Sequence, residues 1–181
     1  MKNSFNEFRE LKKSFLNAFK GISYCIKNER NIRIHIFMVV FIFTFSFFFE
    51  LSIFEYAVLT LAIGVVIVCE IINTAIEALV NLSSPSYSSW AKIAKDVAAG
   101  GVFFSSLIAV VIGFFFFFKK EKLIETIVFI FTTWHVLLIF IFILVFGFFF
   151  IFKSFKLKFT DRVIKFEEVK IYKPKKNKNF K

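Results

Sequence analysis

Proline and glycine are scarce in this chain, two and six of 181 residues. Both residue types interrupt helices, so their scarcity excludes a turn-rich fold and leaves room for long uninterrupted helices. Cysteine is as rare. Cys25 lies in a basic segment and Cys69 in an apolar one, which is neither a disulfide framework nor a metal-knuckle spacing. Both are expected as free thiols. There is no GxxxxGK[ST] and no GxGxxG, which excludes a P-loop and a protein-kinase fold. A cleavable signal peptide is not expected either, because residues 1–33 are polar and basic, without a short apolar core and a small-residue cleavage site.

What the chain does have is hydrophobicity. It is 58% apolar, carries 32 phenylalanines, and has a mean hydropathy of +0.74. A soluble domain is nearer about 45–50% apolar, so the composition points to an all-α integral membrane protein. A net charge of +11 would suggest nucleic acid in a soluble protein, but its distribution argues otherwise. Residues 1–33 carry eight Lys/Arg and residues 153–181 carry eleven. The positive-inside rule then places both termini in the cytoplasm, facing anionic lipid headgroups, with no nucleic acid as partner.

Residues 5–26 put Phe5, Phe8, Leu11, Phe15, Leu16, Phe19 and Ile22 at helical spacing with Lys12, Lys13 and Lys20 between them. That pattern predicts an amphipathic helix within the segment 1–33, lying in the membrane interface or packing on the protein's own bundle. Four membrane segments are expected after it. The first covers about 34–49, short for the roughly 20 residues a span needs, and its start, ERNIRIH, can continue the helix outward. The link ELSIFE (50–55) has no Lys or Arg and reads as an external turn. A second span covers about 56–80, the serine-rich loop NLSSPSYSSW follows, and a third span covers about 91–118. The connector KKEKLIE precedes a fourth, about 126–152, so that 119–152 forms one additional transmembrane helix ahead of a basic cytoplasmic tail, 153–181. Lys119, Lys120 and Lys122 then stand on the external side, against the nineteen basic residues of the termini. The run FFFFF (114–118) is expected to face lipid.

Polar residues inside these spans are few and patterned. Glu70, Asn73 and Glu77 stand at i, i+3 and i+7, within about 60° of one another on one helix face. Asn81 extends the stripe and Thr74 borders it. A carboxylate in the membrane is costly and marks a functional site by default. Glu29, just before the first span, and Lys95-Asp96, in the first turns of the third, can reach the same depth. Hard oxygen ligands suit Mg²⁺, which takes one or two carboxylates plus substrate phosphates. A lysine neutralises phosphate charge, and a remaining carboxylate can take a proton from an alcohol. Together they suit phosphoryl transfer, which needs little beyond positioning and charge neutralisation. By themselves the same residues also suit an interhelical polar network or a cation or proton pathway; a membrane scaffold exposing the basic tail is a third reading. His35 and His135 read as helix residues, and Ala98, Ala99, Gly100 and Gly101 as a close-packing stretch.

The segments ERNIRIH, EIINTAIEALVNL and AKIAKDVAAGGVFFSSLIAVVIG resemble the small prokaryotic diacylglycerol kinase and undecaprenol kinase family over about 100 residues, Phe15 to Phe118. The carrying motif is E-x-x-N-[ST]-A-[IV]-E followed by Ala94-Lys95-Asp96. The resemblance implies a three-span kinase core (34–118) behind the N-terminal surface helix, a homotrimer, a multi-pass protein of the bacterial inner membrane, and transfer of the γ-phosphoryl group of ATP to a membrane lipid alcohol with Mg²⁺. By motif, Glu70 resembles the catalytic base, Glu29 and Glu77 the metal ligands, and Asn73, Lys95 and Asp96 the nucleotide or catalytic residues. Ser86, Tyr87 and Ser88 are similar in place to a loop that touches the nucleotide. Undecaprenol is favoured over diacylglycerol, because the diacylglycerol branch tends to carry a carboxylate where this chain has His35. Two features depart from the family: Asn81 replaces a frequent aspartate, and residues 119–181 have no counterpart in most members.

Overall fold

A computed structural model describes residues 2–83 and 88–153, with side chains from residue 7 onward. Among the described residues every regular element is a helix: α1 (Lys2–Asn28), α2 (Arg30–Phe49), α3 (Ile53–Ser83), α4 (Ser89–Phe117), α5 (Lys120–Thr132) and α6 (Trp134–Phe152). Four of them, α2, α3, α4 and α6, are long and apolar enough to cross a membrane. Ser86, Tyr87 and nearly all of the basic tail lie outside the described residues.

The α1–α2 boundary falls at Glu29. Its N–H closes α1 on the Cys25 carbonyl at 2.8 Å, while its own backbone is extended (φ −102°, ψ 123°). Helix α2 therefore starts at Arg30 and reaches 20 residues, enough for one span, where hydropathy alone begins the segment at residue 34. At the other end Glu50 takes a left-handed conformation (φ 59°) and Ser52 and Glu55 form a capping box. The Ser52 N–H and hydroxyl both donate to Glu55 Oε2 at 2.8 Å, and the Glu55 N–H donates back to Ser52 Oγ at 3.3 Å. The short link ELSIFE is thus a turn plus a helix start, and α3 runs 31 residues from it.

The bundle packs α3 along α4, with α2 against α3. Phe49, Leu51 and Leu59 form a core at the ELSIFE end, covered by Ile42, Phe45, Tyr56, Phe116, Phe117 and Leu123. Phe116 and Phe117 are therefore partly buried, and only Phe114, Phe115 and Phe118 of the five-residue run are exposed. The apolar row of α1 (Phe8, Leu11, Phe15, Leu16, Phe19, Ile22) is uncovered by the rest of the chain, as a helix that lies in the membrane interface requires.

The segment after Phe118 differs from expectation. One continuous fourth helix was predicted; the chain instead forms α5 and α6 with a break at Thr133 (φ −100°, ψ 94°). The Thr132 hydroxyl donates to the Val128 carbonyl at 2.8 Å, and the Val136 and Leu137 N–H groups both fold back onto the Thr133 carbonyl at 3.0 Å. Adjacent threonines offer such local alternatives to helix continuation, and no hydropathy window registers them. α5 and α6 lie against α2. Ile130, Val136 and Phe140 pack on Phe41, Phe45 and Phe48, the Phe41 and Phe140 rings meet edge to face at 5.8 Å, and Gly147 lies against Phe37. Rising numbers on α6 meet falling numbers on α2, so the two run antiparallel. At the ELSIFE end Lys119 Nζ reaches Glu55 at 2.7 Å and Lys122 Nζ reaches Glu50 at 2.6 Å. Two of the three lysines that opposed the charge rule are therefore neutralised in ion pairs.

Candidate active site

Helix α3 sets the depth of the site. At about 1.5 Å per residue, Glu70 lies about 25 Å from Ile53, Asn73 about 30 Å and Glu77 about 36 Å. The hydrocarbon is about 30 Å thick. If α3 starts at one membrane face, Glu70 sits just inside the other, Asn73 at the boundary and Glu77 among the headgroups. The cost of a carboxylate at that depth is far less than at mid-bilayer.

Glu70 is 1% exposed, and Asn73 and Thr74 are also buried. The Thr74 hydroxyl donates to the Glu70 carbonyl at 3.0 Å. Asn73 Nδ2 donates to Glu77 Oε1 at 3.2 Å, which joins two members of the stripe directly. Among the described residues two buried side-chain acceptor atoms have no partner, Glu70 Oε2 and Asn73 Oδ1. A buried acceptor left without a donor costs about 1–3 kcal/mol. Both atoms suit a ligand that brings O–H or N–H groups.

Glu29 approaches from the α1–α2 break. Its side chain makes no capping hydrogen bond, although acidic N-cap residues usually do, so the carboxylate is free for other partners. Burial, and next the negative charge of Glu77, push its carboxyl above the ordinary 4.5, while Arg33 pulls it down. Two carboxylates that repel across the α1–α2 break and α3 suit a cation between them. Among the described residues no three His, Cys, Asp or Glu side chains assemble a metal cage. A pair is nonetheless what a magnesium-like ion uses when phosphate and water supply its remaining ligands.

Lys95 and Asp96 belong to a second group. Lys95 Nζ donates to Asn81 Oδ1 at 2.7 Å, which bridges α4 to the last turn of α3. The Asp96 side chain is 60% exposed and pairs with Lys92 at 2.8 Å. Among the described residues no ion pair ties either one to Glu29, Glu70 or Glu77. Ser88 caps α4, its hydroxyl accepting from the Ala91 N–H at 3.4 Å. The expected set thus divides into one cluster of buried Glu70 and Asn73 with half-buried Glu29 and Glu77, and a more open one (Asn81, Lys95, Asp96).

Two residues near the cluster escaped the sequence reading. Asn31 faces the Glu70 carboxyl, and Arg33 is buried beside Glu29. An arginine four residues after Glu29, at the start of an apolar run, was the available signal. Beyond Ile67, one helical turn from Glu70, an apolar groove of about 330 Å³ opens between α2, α3 and α4, bordered by His35, Met38, Ile63 and Val110.

The family model described as prokaryotic diacylglycerol kinase matches residues 16–117. A protein of Synechocystis sp. called diacylglycerol kinase is 40% identical over 102 residues, which cover 56% of this chain and 58% of that protein. A protein of Bacillus subtilis called undecaprenol kinase is 38% identical over 101 residues, covering 56% of this chain and 82% of the relative. The match thus spans little more than half of the cyanobacterial protein. No solved structure matches the chain.

Proposed function

Because the chain belongs to the prokaryotic diacylglycerol kinase family, we propose that it is a lipid kinase, transferring the γ-phosphoryl group of ATP to the hydroxyl of a long-chain membrane lipid alcohol. The observation that carries this reading is the Glu70 carboxylate, buried with one oxygen unpartnered a helical turn from an apolar groove. An alcohol whose tail lies in that groove can give its O–H to Glu70 Oε2 without leaving the bilayer. Glu70 takes the hydroxyl proton, the alcohol oxygen bonds the γ-phosphorus, and the bond from that phosphorus to the bridging oxygen breaks as ADP departs. Asn73, held by Glu77, is placed to offer its free Oδ1 to the same ligands. Glu29 and Glu77 would hold a divalent cation, Mg²⁺ being the natural choice, which supplies charge neutralisation on the phosphates when bound. Lys95 and Asp96 stand on the side from which nucleotide arrives, Lys95 as a point donor to phosphate.

Undecaprenol is the favoured acceptor. The two relatives carry one name each, and their identities of 40% and 38% do not separate them. His35 on the groove lining, in place of a carboxylate, favours an acceptor with one hydroxyl and no glycerol backbone to hold. The working unit is a homotrimer in the bacterial inner membrane with both termini cytoplasmic. The test is phosphate transfer from labelled ATP in mixed micelles, with undecaprenol and diacylglycerol offered separately. Label in undecaprenyl phosphate supports the reading in full. Label in phosphatidic acid keeps the kinase and overturns the acceptor. Label in neither, from folded protein, overturns the kinase and turns attention to ion flux.

A further inference from the structure

Arg33 is 6% exposed, and its guanidinium, carried on α2, bonds both α1 and α6. Nη1 donates to the carbonyls of Ile26 at 3.0 Å and Lys27 at 3.2 Å, and Nε donates to the carbonyl of Ile151 at 3.2 Å. Ile26 and Lys27 lie in the last turn of α1 and Ile151 in the last turn of α6, where carbonyls run out of intrahelical donors. A planar fork with five N–H groups on three nitrogens can span two such ends, whereas a lysine presents its three donors from a single nitrogen. Helix α6 reaches Arg33 because Gly147, one turn before Ile151, lies against Phe37, one turn after Arg33. A Cβ at Gly147 would run into the Phe37 ring. The docking of α6 and the grip of Arg33 are thus neighbouring contacts in one row. Glu29 follows Lys27 by two residues, and no capping bond of its own side chain holds the break in place.

We propose that Arg33 is a positioning residue through which the docking of α6 fixes the α1–α2 break and thereby the placement of Glu29. Its functional arm rests on the lipid-kinase reading; its structural arm rests on the hydrogen bonds alone. With α6 displaced, Nε loses its acceptor, the guanidinium turns toward water, and the carbonyls before Glu29 lose their shared donor. The membrane helix beyond the family core is then part of the nucleotide end of the site rather than an appendage.

The experiment uses the full chain in micelles, with Cys69→Ser so that Cys25 is the one thiol. Cys25 is buried, directly before Ile26, and burial pushes its thiol above the ordinary 9.0, so alkylation of the intact protein is slow. Gly147→Leu and Arg33→Gln are each expected to raise KM for MgATP about 5–10-fold, the scale of one ordinary hydrogen bond's net contribution, with kcat changed less than about twofold. Both should speed alkylation of Cys25 by N-ethylmaleimide. Arg33→Lys should fall between wild type and Arg33→Gln, and Phe37→Ala should rescue Gly147→Leu by vacating the space its side chain needs. The double variant Gly147→Leu/Arg33→Gln should be no worse than Arg33→Gln alone. Additive effects, or unchanged Cys25 reactivity in Gly147→Leu, overturn the proposal. If the wild-type chain transfers no phosphate, the kinase reading fails, while the alkylation rates still decide whether α6 acts on the α1–α2 break.

Discussion

Glu70 and Glu77 share a helix face but not an environment, and their substitutions should separate accordingly. Glu70→Gln keeps the shape and removes the proposed base, so turnover should fall at least about 100-fold, the scale of general-base catalysis, while the protein still inserts. Wild-type turnover in that variant would remove Glu70 from the mechanism. Glu77→Gln leaves the proposed base and halves the carboxylate pair, so MgATP binding should weaken while acceptor binding holds; an unchanged dependence on MgATP would count against the proposed ligand role of Glu77. The stripe itself was legible because 3.6-residue periodicity alone puts residues 70, 73 and 77 on one face. The division of the remaining residues was not. Lys92 lies four residues before Asp96, a spacing that invites an ion pair on any helix, and it takes the carboxylate that was expected beside the glutamates. Asn81 meets Lys95 only because α3 and α4 are packed together, which no local pattern encodes.

At the scale of elements, four apolar helices were legible from hydropathy and their ends were not. Helix starts depend on caps such as Ser52 with Glu55, and the Thr133 break depends on hydroxyl and carbonyl competition inside an apolar run. The ion pairs that bind α5 to the ELSIFE turn give a prediction in pH. Lys122 holds the Glu50 carboxyl below its ordinary 4.5, so this contribution is present above 4.5 and is lost as pH falls through the lower folded value. Glu50 holds the Lys122 amine above 10.5, so that contribution is present below 10.5 and is lost as pH rises past it. Glu50 is exposed and Lys122 partly so, and the effect on stability is small. Thermal unfolding in detergent should show Lys122→Gln slightly less stable than wild type between those limits, with the difference closing in acid. An equal gap at all pH values would mean that Lys122 acts through packing and not charge.

For the whole molecule, the length of α3 decides where chemistry can happen. A helix of 31 residues is about 46 Å long and outreaches the hydrocarbon by about 16 Å, so one end must carry polar groups into the headgroups. Single cysteines at Ser52 and Ser88, in a chain lacking Cys25 and Cys69, test that geometry. A membrane-impermeant thiol reagent should label Ser52→Cys from outside intact cells and Ser88→Cys only after the cells are opened. Labelling of both from one side would break the four-span topology.

The clasp at the ELSIFE turn also has a history. Glu55 and Lys119 are 64 residues apart in the chain, and Glu50 and Lys122 are 72 apart. At about 5–20 residues per second, a ribosome adds the lysines several seconds after it adds the glutamates. The first hairpin therefore enters the membrane with an acidic tip, which nothing later in the chain has yet neutralised. The lysines follow α2, α3 and α4 in synthesis, so the ion pairs at that end can close only after the helices that bear the candidate site have been made.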